Sequence, residues 1–119
     1  MEEKQNAEAL CAVSEVGERG REICIETETG PQWLMVFFRH GRLTAWRNVC
    51  PHQGRALNWA PDEFLFSPDG LLVCSHHGAS FELGEGQCVA GPCKGDWLTR
   101  VEVQVEDGWV YLADLKRSG

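Results

Sequence analysis

Apolar positions along this chain come in short runs and alternations, each cut off by Gly or Pro, and none has the period of an amphipathic helix. Residues 22–27 alternate, with Ile23 and Ile25 on one face and charges on the other, which predicts a half-buried strand ended by Gly30-Pro31. The run Trp33-Leu34-Met35-Val36-Phe37-Phe38 is continuous and short enough for a buried strand. His40-Gly41 predicts a hairpin turn into a strand over 43–46. Residues 10–13 predict a short first strand. Between 56 and 66, Pro61 argues against a continuous helix. Ser67-Pro68-Asp69-Gly70 predicts a turn, followed by a strand over 71–73. The segment 80–83 is turned by Gly84-Glu85-Gly86, and the segment 87–92 closes on Gly91-Pro92. Val101, Val103 and Val105 alternate with Glu102, Gln104 and Glu106, and Asp107-Gly108 turns this strand into 109–112. The fold class is therefore all-β, built from short antiparallel strands. Trp33, Trp46 and Trp109 read as core, Cys11 and Cys24 as small core residues on strands, and His40 as a structural turn residue.

A length of 119 residues predicts one domain, 1–119, with a modest core and no deep substrate cleft of its own. The hydrophobic fraction of 43% and five tryptophans place it among globular chains. Net charge is −7 with no basic run, so nucleic acid and anionic membrane surfaces are poor partners. A protein with a positive docking patch suits it better. Residues 1–8 are polar, and Met1-Glu2-Glu3-Lys4-Gln5-Asn6 has no apolar segment of the kind a signal peptide needs. The longest apolar run is far short of the ~20 residues that span a bilayer. Six cysteines without a signal read as reduced thiols in the cytoplasm.

The chemistry gathers in two clusters, Cys50-Pro51-His52-Gln53-Gly54 and Cys74-Ser75-His76-His77-Gly78, with 21 residues between His52 and Cys74. Each puts one thiol and at least one imidazole into a glycine-bearing segment. Cys-x-His followed by Cys-x-x-His resembles the ligand pattern of Rieske-type ferredoxins, in which two thiolates hold one iron of a 2Fe–2S cluster and two histidines hold the other. The resemblance implies Cys50 and Cys74 on one iron, and His52 and His77 on the other. His76 competes with His77, but the family spacing and the following Gly78 favour His77. A tetrahedral structural zinc site made from the same four residues is the alternative.

The same resemblance implies an antiparallel β-sandwich or open-barrel base that carries a cluster-binding subdomain, here about 47–92. It implies a monomeric electron carrier, not an enzyme, moving single electrons from a flavoprotein reductase to a terminal Rieske oxygenase. The alternatives are a small subunit paired with the large subunit of an assimilatory nitrite reductase, and a redox-sensing module. High-potential members brace their two loops with a disulfide; the matching positions here are Arg55 and His76. Those members also aim Ser and Tyr hydroxyls at cluster sulfur, where this chain has Ala79 and Phe81. Fewer donors to sulfur stabilise the reduced cluster less, so the potential is expected near the low end of the family, about −150 mV. Cys88 and Cys93 have the spacing that opens a plant-type ferredoxin pattern, but the third position is Asp96. They read as free thiols beside a cluster-covering loop, with a disulfide as the alternative. Trp59, near the cluster segments, is a candidate docking residue.

Overall fold

The computed structural model describes residues 9–39, 41–51, 56–75 and 78–113. Through these the chain forms β1 (Cys11–Ala12), a 3-10 turn (Val13–Glu15), β2 (Arg21–Thr27), β3 (Gly30–Arg39) and β4 (Arg42–Arg47). After the first motif come β5 (Leu65–Phe66), β6 (Leu72–Val73), β7 (Ser80–Phe81) and β8 (Cys88–Ala90). β9 (Arg100–Val101), β10 (Val103–Glu106) and β11 (Trp109–Leu112) complete the chain. They make three antiparallel sheets, ordered β1-β11-β10, β2-β3-β4-β9 and β5-β6-β7-β8. Among the described residues no helix is long and apolar enough to cross a membrane.

β3 lies at the centre of this arrangement, and its unbroken apolar run has a physical reason. Successive side chains of a strand point to opposite faces. Val36 packs with Cys11, Val16, Ile23, Ala45 and Val110, which join the terminal sheet to the central one. Met35 and Phe37 pack instead with Trp46, Leu57, Phe64, Leu72 and Phe81, which join the central sheet to the third. Both faces of β3 are covered, so neither can be polar. Phe37 marks the second junction, meeting the rings of Phe64 and Phe66 edge-on at 5.3 and 6.0 Å.

Several expectations change. Gly30 and Pro31 already belong to β3, paired with Thr27 and Glu26, so the turn is the preceding Glu28-Thr29. The alternating stretch 101–106 is split at Glu102: β9 pairs with β4, and β10 pairs with β11. One valine pattern thereby serves two sheets. The first strand is only two residues long, and β5 fills a stretch with no predicted strand. Trp46 is fully buried, but Trp33 and Trp109 are about half exposed, at 50% and 47%. Cys24 is exposed as well and pairs directly with Trp33. These two cross-strand neighbours lie midway along the β2–β3 ladder, at the point where burial along β3 stops on the side of the Glu28-Thr29 turn. Trp109 begins a strand straight after the Asp107-Gly108 turn, whose residues both have positive φ. Arg39 and Arg42 pair across the expected hairpin turn; His40 itself lies outside the described residues.

Candidate metal centre

The second motif occupies the end of the β6–β7 hairpin. The ladder pairs Val73 with Ser80 and closes as the Cys74 N–H donates to the Ala79 carbonyl at 2.7 Å. The Gly78 N–H then donates back to the Cys74 carbonyl at 3.1 Å. Gly78 takes a φ of +77°, which a side chain would resist. Cys74 is buried at the base of this motif. His76 and His77 lie outside the described residues.

The first motif follows β4. Cys50 is buried and Pro51 is half-buried, while residues 52–55, His52 and Arg55 among them, lie outside the described residues. Asn48, two residues before Cys50, ties the two motifs together, a role that no pattern in the sequence announces. It is a buried polar side chain. Its Oδ1 accepts the Leu57 N–H at 2.7 Å, and its Nδ2 donates to Asn58 Oδ1 at 2.8 Å and to Glu22 Oε2 at 3.3 Å. The Leu57 carbonyl accepts the N–H of Ser75, next to Cys74, at 3.1 Å, and the Asn58 carbonyl accepts the Ser75 hydroxyl at 3.4 Å. A continuous set of hydrogen bonds therefore runs from beside Cys50 to beside Cys74. Buried polar groups must find such partners, so the register of the two segments is fixed by them.

A third segment closes over the second motif. Gly91 has a φ of +98°, and a Cβ there would stand 2.7 Å from the Ala79 Cα and 3.2 Å from the Gly78 oxygen. Only glycine lets the 91–95 turn lie this close. Behind it Cys88 and Cys93 are buried in the same core as Cys50, Cys74, Ala79 and Phe81. Cys93 Sγ donates to Cys88 Sγ at 3.0 Å, and Cys88 Sγ to the Ala90 carbonyl at 3.2 Å. Burial, then the neighbouring sulfurs of Cys88 and Cys50, push the Cys93 thiol up to about 12, so it holds its proton at neutral pH.

Two buried thiols, on adjoining segments and in no disulfide, form a donor set suited to iron or zinc. The apolar neighbours of Cys50 and Cys74 would shield sulfide from water, which suits the iron–sulfur reading. Ala79 and Phe81 are both fully buried here and bring no side-chain donor. Among the described residues no group of three or more His, Cys, Asp or Glu is arranged to hold a metal ion. Two of the four expected ligands lie outside them. Trp59 is 59% exposed and follows Asn58, one of the residues that hold Ser75.

Known proteins resemble this chain over most of its length. The model of the Rieske [2Fe-2S] domain matches residues 6–106. A ferredoxin from Sphingomonas yanoikuyae B1 superposes with a TM-score of 0.66 at 26% identity, covering 90% of this chain and 97% of that one. A chain from the complex of reduced oxygenase and oxidised ferredoxin in carbazole 1,9a-dioxygenase gives 0.69 at 26% identity, covering 90% and 92%. The vanillate O-demethylase oxygenase subunit of Pseudomonas sp. (strain HR199 / DSM 7063) is 37% identical over 87 residues, which is 69% of this chain. This chain spans only about a fifth (21%) of that relative's length.

Proposed function

The chain belongs to the Rieske [2Fe-2S] domain family, and from that premise we propose that it is a cytoplasmic ferredoxin passing single electrons from a flavoprotein reductase to a terminal oxygenase. The observation that carries this reading is the pair of buried thiols, Cys50 and Cys74, on segments locked together through Asn48, Leu57 and Ser75. Its match to a free-standing ferredoxin over 97% of that chain supports a carrier more than a catalyst.

Bound there, a Rieske 2Fe–2S cluster supplies one-electron redox chemistry. Cys50 and Cys74 would provide its thiolate ligands, and His52 and His77 its imidazole ligands. The single domain 1–119 holds this centre in a subdomain of about 47–92. Ala79 and Phe81 would offer cluster sulfur no hydroxyl donor, and the potential would then fall near the low end of the Rieske range, about −150 mV. Trp59 and Val49, both exposed beside the motif segments, offer apolar contact to a docking partner. Small interfaces of this kind suit brief electron-transfer encounters.

The test is an electron paramagnetic resonance spectrum of the reduced protein with a redox titration, followed by turnover with a reductase and an oxygenase. A Rieske-type signal with low average g, a midpoint near about −150 mV, and sustained flux are expected. A colourless protein holding one zinc ion would end the reading.

The likeness to an oxygenase subunit favours a second reading, in which this domain delivers electrons to a catalytic partner that it does not leave. Stable co-purification with one large partner, and no exchange with an added oxygenase, would select it.

A further inference from the structure

We propose that Cys88 and Cys93 form a redox-active dithiol that closes to a disulfide within the folded, cluster-loaded protein. Their sulfurs face each other at 3.0 Å, about 1 Å beyond a covalent S–S bond of about 2.05 Å. The backbone already holds the ends of the loop between them. The Cys88 N–H donates to the Asp96 carbonyl at 2.7 Å, and the Cys88 carbonyl accepts the Gly95 N–H at 2.9 Å. Inside, the Lys94 N–H donates to the Gly91 carbonyl at 3.2 Å and the Asp96 N–H to the Cys93 carbonyl at 2.8 Å. Closing the bond therefore needs a small side-chain movement and no new backbone path.

Two other roles for these thiols fit less well. As core filler, each cysteine would serve as a small apolar residue, and nothing in that role asks the sulfurs to meet. As metal ligands they would need a third donor. Among the described residues no third His, Cys, Asp or Glu joins them in a group arranged to hold an ion. The proposal does not depend on Cys50 being a cluster ligand, because both reacting atoms lie on the 88–93 loop.

The reaction balances against a small-molecule disulfide such as oxidised glutathione. The sulfur of one cysteine attacks the disulfide and expels one small thiol, leaving a mixed disulfide. The second cysteine attacks that bond and expels the other. The protein loses two electrons and two protons, and the oxidant leaves as two thiols. Both cysteines are buried, so the loop must open briefly for the first attack.

The experiment incubates holoprotein, prepared under reducing conditions, with oxidised glutathione while visible absorption follows the cluster. The protein is then unfolded in chelator and acid, alkylated, and digested with trypsin. Cys74, Cys88 and Cys93 all fall on the tryptic peptide 56–94, which has no internal Lys or Arg. Before oxidation all three take the alkyl group. Afterwards only Cys74 is expected to take it, with the peptide two hydrogens lighter than its singly alkylated reduced form and the bond placed at Cys88–Cys93 by fragmentation. Cys88→Ala and Cys93→Ala should each abolish the closed form, and either one suffices if the other fails to fold. Full alkylation of all three after oxidation overturns the proposal, as does a lasting glutathione adduct on one of the pair or a bond to Cys74. Loss of the cluster signature as the Cys88–Cys93 bond forms overturns closure in the loaded protein, whereas a bond that forms in protein never showing that signature counts against the metal centre and leaves the dithiol standing.

Discussion

The two junctions of the molecule are built on different principles. Between the terminal and central sheets the contacts are mainly aliphatic, from Val16, Ile23, Val36, Ala45 and Val110, beside Cys11. The strands beneath are long: β2 and β3 pair from Arg21↔Val36 to Thr27↔Gly30, and β3 and β4 from Leu34↔Arg47 to Arg39↔Arg42. Between the central and third sheets the core contains four cysteines, and the strands of the third sheet pair over only two residues at a time. Strands that short contribute little by themselves. On that side the order comes from Phe37 and its ring partners, from the Asn48 hydrogen bonds, and from whatever the buried thiols hold. One half is a self-sufficient base, and the other is completed by side-chain chemistry.

The largest expected effect tests that last dependence. Cys74→Ala removes a proposed ligand, and iron and sulfide content should fall to background, with visible absorption lost. Metal binding is coupled to folding, so amide exchange in 65–90 should speed up while 21–47 stays protected. Equal loss of protection in both regions would dissolve the contrast between the halves.

Next comes Phe37→Ala. This side chain joins the central sheet to the third through Phe64 and Phe66, and truncating it should cost about 3–5 kcal/mol in denaturant unfolding. Asn48→Leu should cost about 1–3 kcal/mol, because the buried Leu57 N–H then lacks its acceptor. The two variants differ in kind. Phe37→Ala should lower the stability of the cluster-free and cluster-loaded forms alike. Asn48→Leu should also hasten release of iron to a chelator, since the tie it cuts lies between the two motifs. Chelator release as slow as in the parent protein would mean that the bond set positions nothing at the centre.

What could be read in advance follows the same division. Alternation in 22–27 and the apolar run at 33–38 reported the base well, because burial of one or two faces is written directly in side-chain type. The Cys-x-His and Cys-x-x-His spacings reported the cofactor, because ligand chemistry restricts residue types at fixed separations. Asn48 stayed invisible, since a lone Asn before a cysteine looks like any turn residue until its partners at 57 and 58 are folded against it. The split at Glu102 was hidden for a related reason: a period of two says which face is apolar, and nothing about which sheet the strand joins. Trp33 and Trp109 misled because size and hydrophobicity speak for burial, whereas exposure depends on where the covering layer stops.

The smallest expected effect turns on that limit. Trp33 is half exposed and pairs with the exposed Cys24, so Trp33→Gln removes a large apolar surface that little else covers. Stability should change by no more than about 0.5 kcal/mol, as for surface positions away from any special contact. The iron content and the midpoint potential should stay at the parent values, because the residue belongs to neither buried core. A loss of several kcal/mol in the same unfolding measurement would place Trp33 under a cover and extend the core between the central and third sheets towards the turn end of the β2–β3 ladder. The base would then owe more to its aromatic residues than the aliphatic junction around Val36 and Val110 implies, and the difference between the halves would narrow to the cysteines alone.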